Sequence, residues 1–114
     1  MKKLQKLITA LDSKHLEGIV ALDMRKHSPL YDFMVISTAK NDRIIAGALR
    51  ELKDLGSESD FNLKYIEGHD TGEWVLADFV DIIVHVFNEE TRTKYNLEKL
   101  WGDADRVDVS EFLN

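Results

Sequence analysis

Cysteine is absent from the sequence, and with it go disulfides, thiol catalysis and cysteine-ligated zinc. Proline occurs once, at Pro29, and there is no low-complexity run or internal repeat, so 114 residues read as one domain with a real core. No apolar run approaches the ~20 residues of a membrane span. The start, Met1-Lys2-Lys3-Leu4-Gln5-Lys6, is basic, but the apolar residues after it come at helical spacing and not as a continuous signal core. The expected compartment is therefore the cytoplasm. His15, His27, His69 and His85 are scattered, and none is spaced as H-x-x-x-H, which argues against a histidine metal site. There is no G-x-x-x-x-G-K-[ST] loop to cradle a phosphate and no serine in a nucleophile elbow. The equipment of a recognisable enzyme is missing. Positive charge is also short, with 15 basic residues against 21 acidic and a net charge of −6. Such a chain gains little from counterion release on nucleic acid, and a basic protein surface suits it better.

What is there is organised around residues 72–104. Trp74-Val75-Leu76-Ala77-Asp78 reads as one strand, and Ile82-Ile83-Val84-His85-Val86-Phe87 reads as the next. Two such runs close in sequence are most simply an antiparallel pair. The second is apolar on both alternating faces except at His85, which marks a central strand covered on both sides. A helix follows, with Asn88 as its cap, Glu89 and Glu90 in its first turn and Gly102 at its end.

Upstream, Leu4, Leu7, Ile8 and Leu11 fall at i, i+3, i+4, i+7 and predict an amphipathic helix over 2–13. Lys2, Lys3 and Lys6 are expected on its solvated face, with an RNA contact as the alternative. Strands are expected over 19–24 and 33–37, separated by turn chemistry at His27-Ser28-Pro29. Thr38 or Asn41 caps a second helix with Ile44, Ile45, Ala48, Leu49, Leu52 and Leu55 on its apolar face, ending at Gly56. Residues 57–60 are a polar loop, 61–67 a third, less buried strand, and 68–72 a turn. The tail at 105–114 is acidic and expected to be loosely held. The fold class is α/β, a mixed five-stranded sheet flanked by helices.

On a helical wheel Leu97, Leu100 and Trp101 share one side with Thr93, while Tyr95 points roughly opposite. Either Tyr95 lies on a neighbouring loop, or an aromatic face waits for a partner. Trp74, at a strand start, is either core or an interface anchor. His85 reads as a satisfied core histidine. Asp23, Asp32, Asp78 and Asp81 lie at strand ends or turns, where carboxylates either serve the turn or gather around magnesium.

Glu67-Gly68, Trp74, Asp78, the run from Asp81 to Phe87, Glu90, Arg92, Tyr95, Leu97-Glu98, Leu100-Trp101 and Asp103-Ala104 together resemble the Iojap-related ribosomal silencing factors. Ile19, Leu22-Asp23 and the run from Tyr31 to Ile36 fit the same family, so the resemblance covers residues 1–104 and leaves out the acidic tail at 105–114. Two positions depart from it. Val80 stands where the family has glycine or alanine, so a differently built turn is expected, because a β-branched residue disfavours positive φ. Ala39 replaces a common glycine.

The resemblance implies a nucleotidyltransferase-like fold without the catalytic residues, no cofactor and no enzymatic activity. It implies a translational repressor that binds the large ribosomal subunit through its fourteenth ribosomal protein and sterically prevents the small subunit from joining. Repression would follow nutrient limitation, as in stationary phase, and a role in large-subunit biogenesis is implied as well. Trp74, Leu76 and Tyr95 are then the expected anchors, with Asp78, Asp81 and Glu98 pairing with basic groups of the partner. Contact with nucleic acid is expected only at the periphery, on ribosomal RNA. Two alternatives stand beside this reading. One is a magnesium-dependent nucleotidyltransferase or nucleotide-binding enzyme using Asp23, Asp32 and Asp78. The other is a domain whose aromatic surface forms a homodimer when free.

Overall fold

The structure is a computed structural model that describes residues 2–58, 60–68 and 73–113. The expected turn at His69-Asp70-Thr71-Gly72 and residue Ser59 of the polar loop lie outside the described residues. The chain runs α1 (Lys2–Ser13), β1 (Glu17–Asp23), β2 (Phe33–Ala39), α2 (Asp42–Gly56), β3 (Tyr65–Glu67), β4 (Trp74–Asp78) and β5 (Ile82–Asn88). It ends with α3 (Glu89–Tyr95), α4 (Leu97–Leu100), β6 (Asp105–Val107) and a single 3-10 turn at Val109–Glu111. Among the described residues, six strands form one mixed sheet in the order β3-β4-β5-β2-β1-β6. In it β2 and β5 pair in parallel, β4 pairs antiparallel with β5, and β1 with β2.

The strand between β4 and β2 is β5, whose residues 82–87 are all buried, as its two-sided apolar pattern requires. Alternation along the strands then splits the interior into two layers. Val75, Ala77, Val84 and Val86 point to one side, where they meet Leu4, Leu7, Ile8 and Leu11 of α1 and Ile45, Ala48 and Leu52 of α2. The four α1 residues have no exposed surface. Each stabilises the fold by about 1.5–3 kcal/mol relative to exposure. Leu22, Met34, Ile36, Ile83 and Phe87 point the other way, into a smaller cluster that includes Trp74, Leu76, Leu97 and Trp101. Asn41, not Thr38, caps α2, its side chain accepting from Ile44 N at 2.9 Å.

Five expectations need correction. The sheet has six strands rather than five, because Asp105–Val107 pairs with β1 through Ala21, Leu22 and Asp23. Residues 105–107 are therefore not a loose tail, and Val109, Phe112 and Leu113 pack against the helix-side core. The third strand is shorter than 61–67, because Phe61 turns into the core, where it is 1% exposed. The last helix is broken: Asn96 adopts φ 44, ending α3, and its side chain then caps α4 by accepting from Lys99 N. Asparagine tolerates this left-handed conformation better than most residues. Finally, Lys3 is not on a solvated face, for its Nζ donates to Phe79 O and to Asp81 Oδ1, both at 2.6 Å.

That lysine reaches the turn between β4 and β5, where Val80 does take positive φ, at 78°. Asp81 N donates to Phe79 O across Val80 at 3.0 Å, the hydrogen bond of a strained γ-turn. Asp78 Oδ1 accepts from Val80 N at 2.8 Å, and Lys3 holds the flanking groups from below. The surroundings impose the conformation against the preference of a β-branched side chain that is 52% exposed. Ala39, by contrast, is a plain extended residue at the end of β2. Val80→Gly should stabilise the domain by about 1 kcal/mol, since relief of roughly 1–3 kcal/mol of strain exceeds the added unfolded-state entropy. Thermal and urea denaturation should record a melting point a few degrees higher; a lower one would mean that the turn carries no strain.

Candidate functional site

The two faces of the sheet are covered unequally. On the side away from α1 and α2, the cover consists of the short α3 and α4 with Trp101, and several large side chains stay partly open. Trp74, Leu76 and Asp78 share this face on β4, with His85 and Phe87 opposite them on β5. Trp74 packs against Phe87, ring centroids 5.0 Å apart, and against Tyr95 of α3 at 4.9 Å. Phe87 is fully buried while Tyr95 remains 47% exposed. The break at Asn96 is what makes this possible. Residues 95 and 101 do not lie on one continuous helix, so Tyr95 and Trp101 serve the same face and not opposite ones. Leu100, which the wheel grouped with Leu97 and Trp101, is 69% exposed.

His85 fixes the indole. It is 5% exposed, and its Nδ1 accepts a 3.0 Å hydrogen bond from Trp74 Nε1. The core histidine is satisfied as expected, and its partner is the candidate anchor itself. Burial lowers the imidazole pKa from 6.5 to about 4. Accepting from the indole also requires a bare Nδ1, so the bond belongs to the neutral ring. On the far side of Trp74 the chain closes in: Gly68 has φ 92, and a Cβ there would lie 1.8 Å from Trp74 O. Only glycine lets β3 end this close to the start of β4. Between them lies a hollow of about 220 Å³ lined by Glu67, Trp74, Leu76, Thr91 and Tyr95.

The structure thus brings together Trp74, Leu76 and Tyr95. The three carboxylates predicted with them are already engaged inside the chain. Asp78 is 4% exposed, accepting from Val80 N and from the Tyr31 hydroxyl at 3.2 Å. Tyr31 is in turn pushed above its ordinary pKa, first by burial and then by the Asp78 charge. Asp81 pairs with Lys3 at 2.6 Å but keeps 49% of its side chain exposed. Glu98 accepts from Arg92 Nε at 2.9 Å and lies 3.6 Å from Arg106. Arg92 also donates to Thr38 Oγ1 at 2.7 Å and passes under Gly18, where a Cβ would meet its Nη1 at 2.8 Å. This arginine ties α3 and α4 to the end of β2, a role that spacing could not reveal.

The carboxylates of the nucleotidyltransferase alternative do not form a metal site. Asp23 is chelated by Arg25 at 2.6 and 2.9 Å, which lowers its pKa to about 2. No group of three or more histidine or acidic side chains among the described residues could hold a metal ion. Nor is any helix of the described residues long and apolar enough to cross a membrane.

Comparison with known proteins agrees with the resemblance read from the motifs. A family model described as "Ribosomal silencing factor during starvation" matches residues 1–114, the last ten included. The chain is 42% identical over 105 residues to the ribosomal silencing factor RsfS of Bacillus subtilis, covering 92% of this chain and 89% of that one. It is 30% identical over 99 residues to a mouse protein named "Mitochondrial assembly of ribosomal large subunit protein 1", covering 83% of this chain but 43% of that one. A crystal structure from Bacillus halodurans superposes with a TM-score of 0.80 at 36% identity, over 95% of this chain and 99% of that one.

The buried imidazole sets a pH dependence. Between pH 6.5 and about 4 the unfolded chain binds a proton that folded His85 refuses, so its contribution is complete above 6.5 and is lost as the pH falls. The loss should be on the order of 2–3 kcal/mol across that window and flatten below it. Urea denaturation from pH 7 to 4 should show this slope, reduced in His85→Gln; equal slopes in both proteins would remove His85 as its source.

Proposed function

The chain belongs to the RsfS family of ribosomal silencing factors, and on that premise we propose that it represses translation by occupying the large ribosomal subunit. Members of the family are named for silencing ribosomes and not for a catalysed reaction, and this chain is not an enzyme. The proposed contact is the fourteenth ribosomal protein, at the surface that the small subunit must meet. A domain of 34 × 34 × 29 Å lodged there blocks joining by its bulk alone. Repression under nutrient limitation agrees with the family's description, and a part in large-subunit maturation agrees with the name of the mouse relative. We take the sheet-and-helix frame as nucleotidyltransferase-like with its chemistry gone.

The observation that carries this reading is the incompletely covered patch of Trp74, Leu76 and Tyr95. Aromatics held rigidly and half open at a rim are what interface hot spots are made of. Little side-chain entropy remains to be lost on docking, because His85 and Phe87 already fix the indole. Of the three candidate carboxylates, Asp81 retains an exposed edge for a basic partner, while Asp78 and Glu98 act through the turn and the helix ends they hold. When no subunit is present, the same apolar patch is the natural contact for a second copy of the chain.

Trp74→Ala should weaken co-sedimentation with purified large subunits by about 2 kcal/mol or more, roughly 30-fold, and Tyr95→Ala should act in the same direction. Unchanged binding by both variants, with their folds intact by circular dichroism, would contradict the assignment of anchors.

A further inference from the structure

Of the carboxylates assigned to basic partner groups, Asp78 and Glu98 are spent within the chain, and Asp81 lies at the turn beyond the far end of β4 from Trp74. Beside the aromatic rings themselves the acidic residues are others, and Glu67 is one of them. In the β3–β4 ladder Glu67 stands directly opposite Leu76, so its side chain leaves the sheet on the same face as Trp74. It is exposed, and none of the ion pairs formed among the described residues involves it. It lines the hollow beside Trp74 and Tyr95, whose rings form the apolar wall, and Glu73 is the second acidic residue of that lining.

Size and charge restrict the occupant. Pockets for small-molecule ligands run from about 300 to 1,000 Å³. A volume of about 220 Å³ suits a single long side chain better than a nucleotide or cofactor. Indole and phenol faces attract cations, and arginine is the cation that also stacks on them. The attraction is visible within the chain: the Lys94 ammonium lies 5.7 Å from the centroid of the Tyr95 ring. A net charge of −6 favours the approach of any basic partner.

We propose that this hollow is a receptor for one arginine side chain of the partner protein, its guanidinium lying on the Trp74 and Tyr95 rings with Glu67 as counter-charge. The inference rests on the ribosome-binding reading for the identity of the partner, but the cation specificity can be tested without it. Arginine can meet a carboxylate and an aromatic face at once, whereas the more strongly hydrated ammonium of lysine is less suited to stacking. Glu67 therefore tunes which partner is accepted, and the aromatic pair provides the depth.

The test has two arms. In the first, purified large subunits are titrated with the full chain and with Glu67→Gln at several salt concentrations. The substitution should weaken binding about tenfold and flatten its salt dependence. Affinity and salt dependence equal to those of the parent chain would overturn the proposal. In the second arm, Trp101→Phe leaves Trp74 as the one indole, since the chain has two tryptophans. N-acetyl-arginine amide should quench its fluorescence saturably, the neutral citrulline counterpart should not, and Glu67→Gln should narrow the difference about tenfold. An identical response to both compounds would overturn the proposal even if large subunits bind. If subunits do not bind the parent chain but arginine selectivity persists, the cation receptor stands and the ribosomal reading falls.

Discussion

The sheet presents apolar side chains on both faces, yet the two long helices lie on one of them. That constraint decides the rest of the molecule. Helices α1 and α2 seal the face of Val75, Ala77, Val84 and Val86. For the other face only the short segments after β5 remain, and these cannot roof a six-stranded sheet. A sheet face left partly bare costs stability through exposed apolar surface, and in a monomeric domain such surface commonly marks a binding site. The chain limits the exposure by filling the gap with aromatic rings: Trp74 packs at a tilt against Phe87 and Tyr95, and Trp101 joins them from beyond the break at Asn96.

Rigidity at this site has identifiable causes. The indole N–H is held by a buried neutral imidazole, Gly68 allows the β3 end to lie against the Trp74 backbone, and Arg92 anchors the helix ends. At the other end of β4, Asp78 takes two hydrogen bonds and Lys3 two acceptors, together fixing the strained turn at Val80. Both ends of β4 are thus pinned by polar groups satisfied within the chain, so the strand can present Trp74 and Leu76 without bending. A preorganised surface of this kind saves the ordering cost that a flexible one incurs on binding. No bond need be made or broken for such a surface to act.

Much of the fold was legible from pattern. The heptad-like spacing of Leu4, Leu7, Ile8 and Leu11, the two-sided run at 82–87 and the antiparallel pairing of 74–78 with it all appear as expected. The misses share a physical origin: each turns on one backbone choice that periodicity does not register. Asn96 in the left-handed region converts one helix into two and reverses the meaning of a wheel drawn through it. Val80 adopts a conformation its side chain resists, because Lys3, Asp78 and the two strands outweigh the local preference. Residues 105–107 carry too little apolar character to look like a strand, as suits an edge, where charge guards against unwanted pairing. At the site, the aromatics were legible from their positions at strand and helix ends. The carboxylates are bonded within the chain, Asp81 alone of the three keeping an exposed edge, and spacing says which acids lie near an edge but not which already have partners. Glu67 entered only through the family resemblance, and its place beside the aromatic rings follows from the register that sets it opposite Leu76.

The central claim, that this domain acts by standing between two surfaces, is tested most directly by light scattering of subunit association. Large subunits saturated with the chain before small subunits are added should show little or no joining, while preformed ribosomes should resist the same addition for as long as their halves stay together. Joining at the normal rate and extent, with the chain demonstrably bound to the large subunit, would contradict the account.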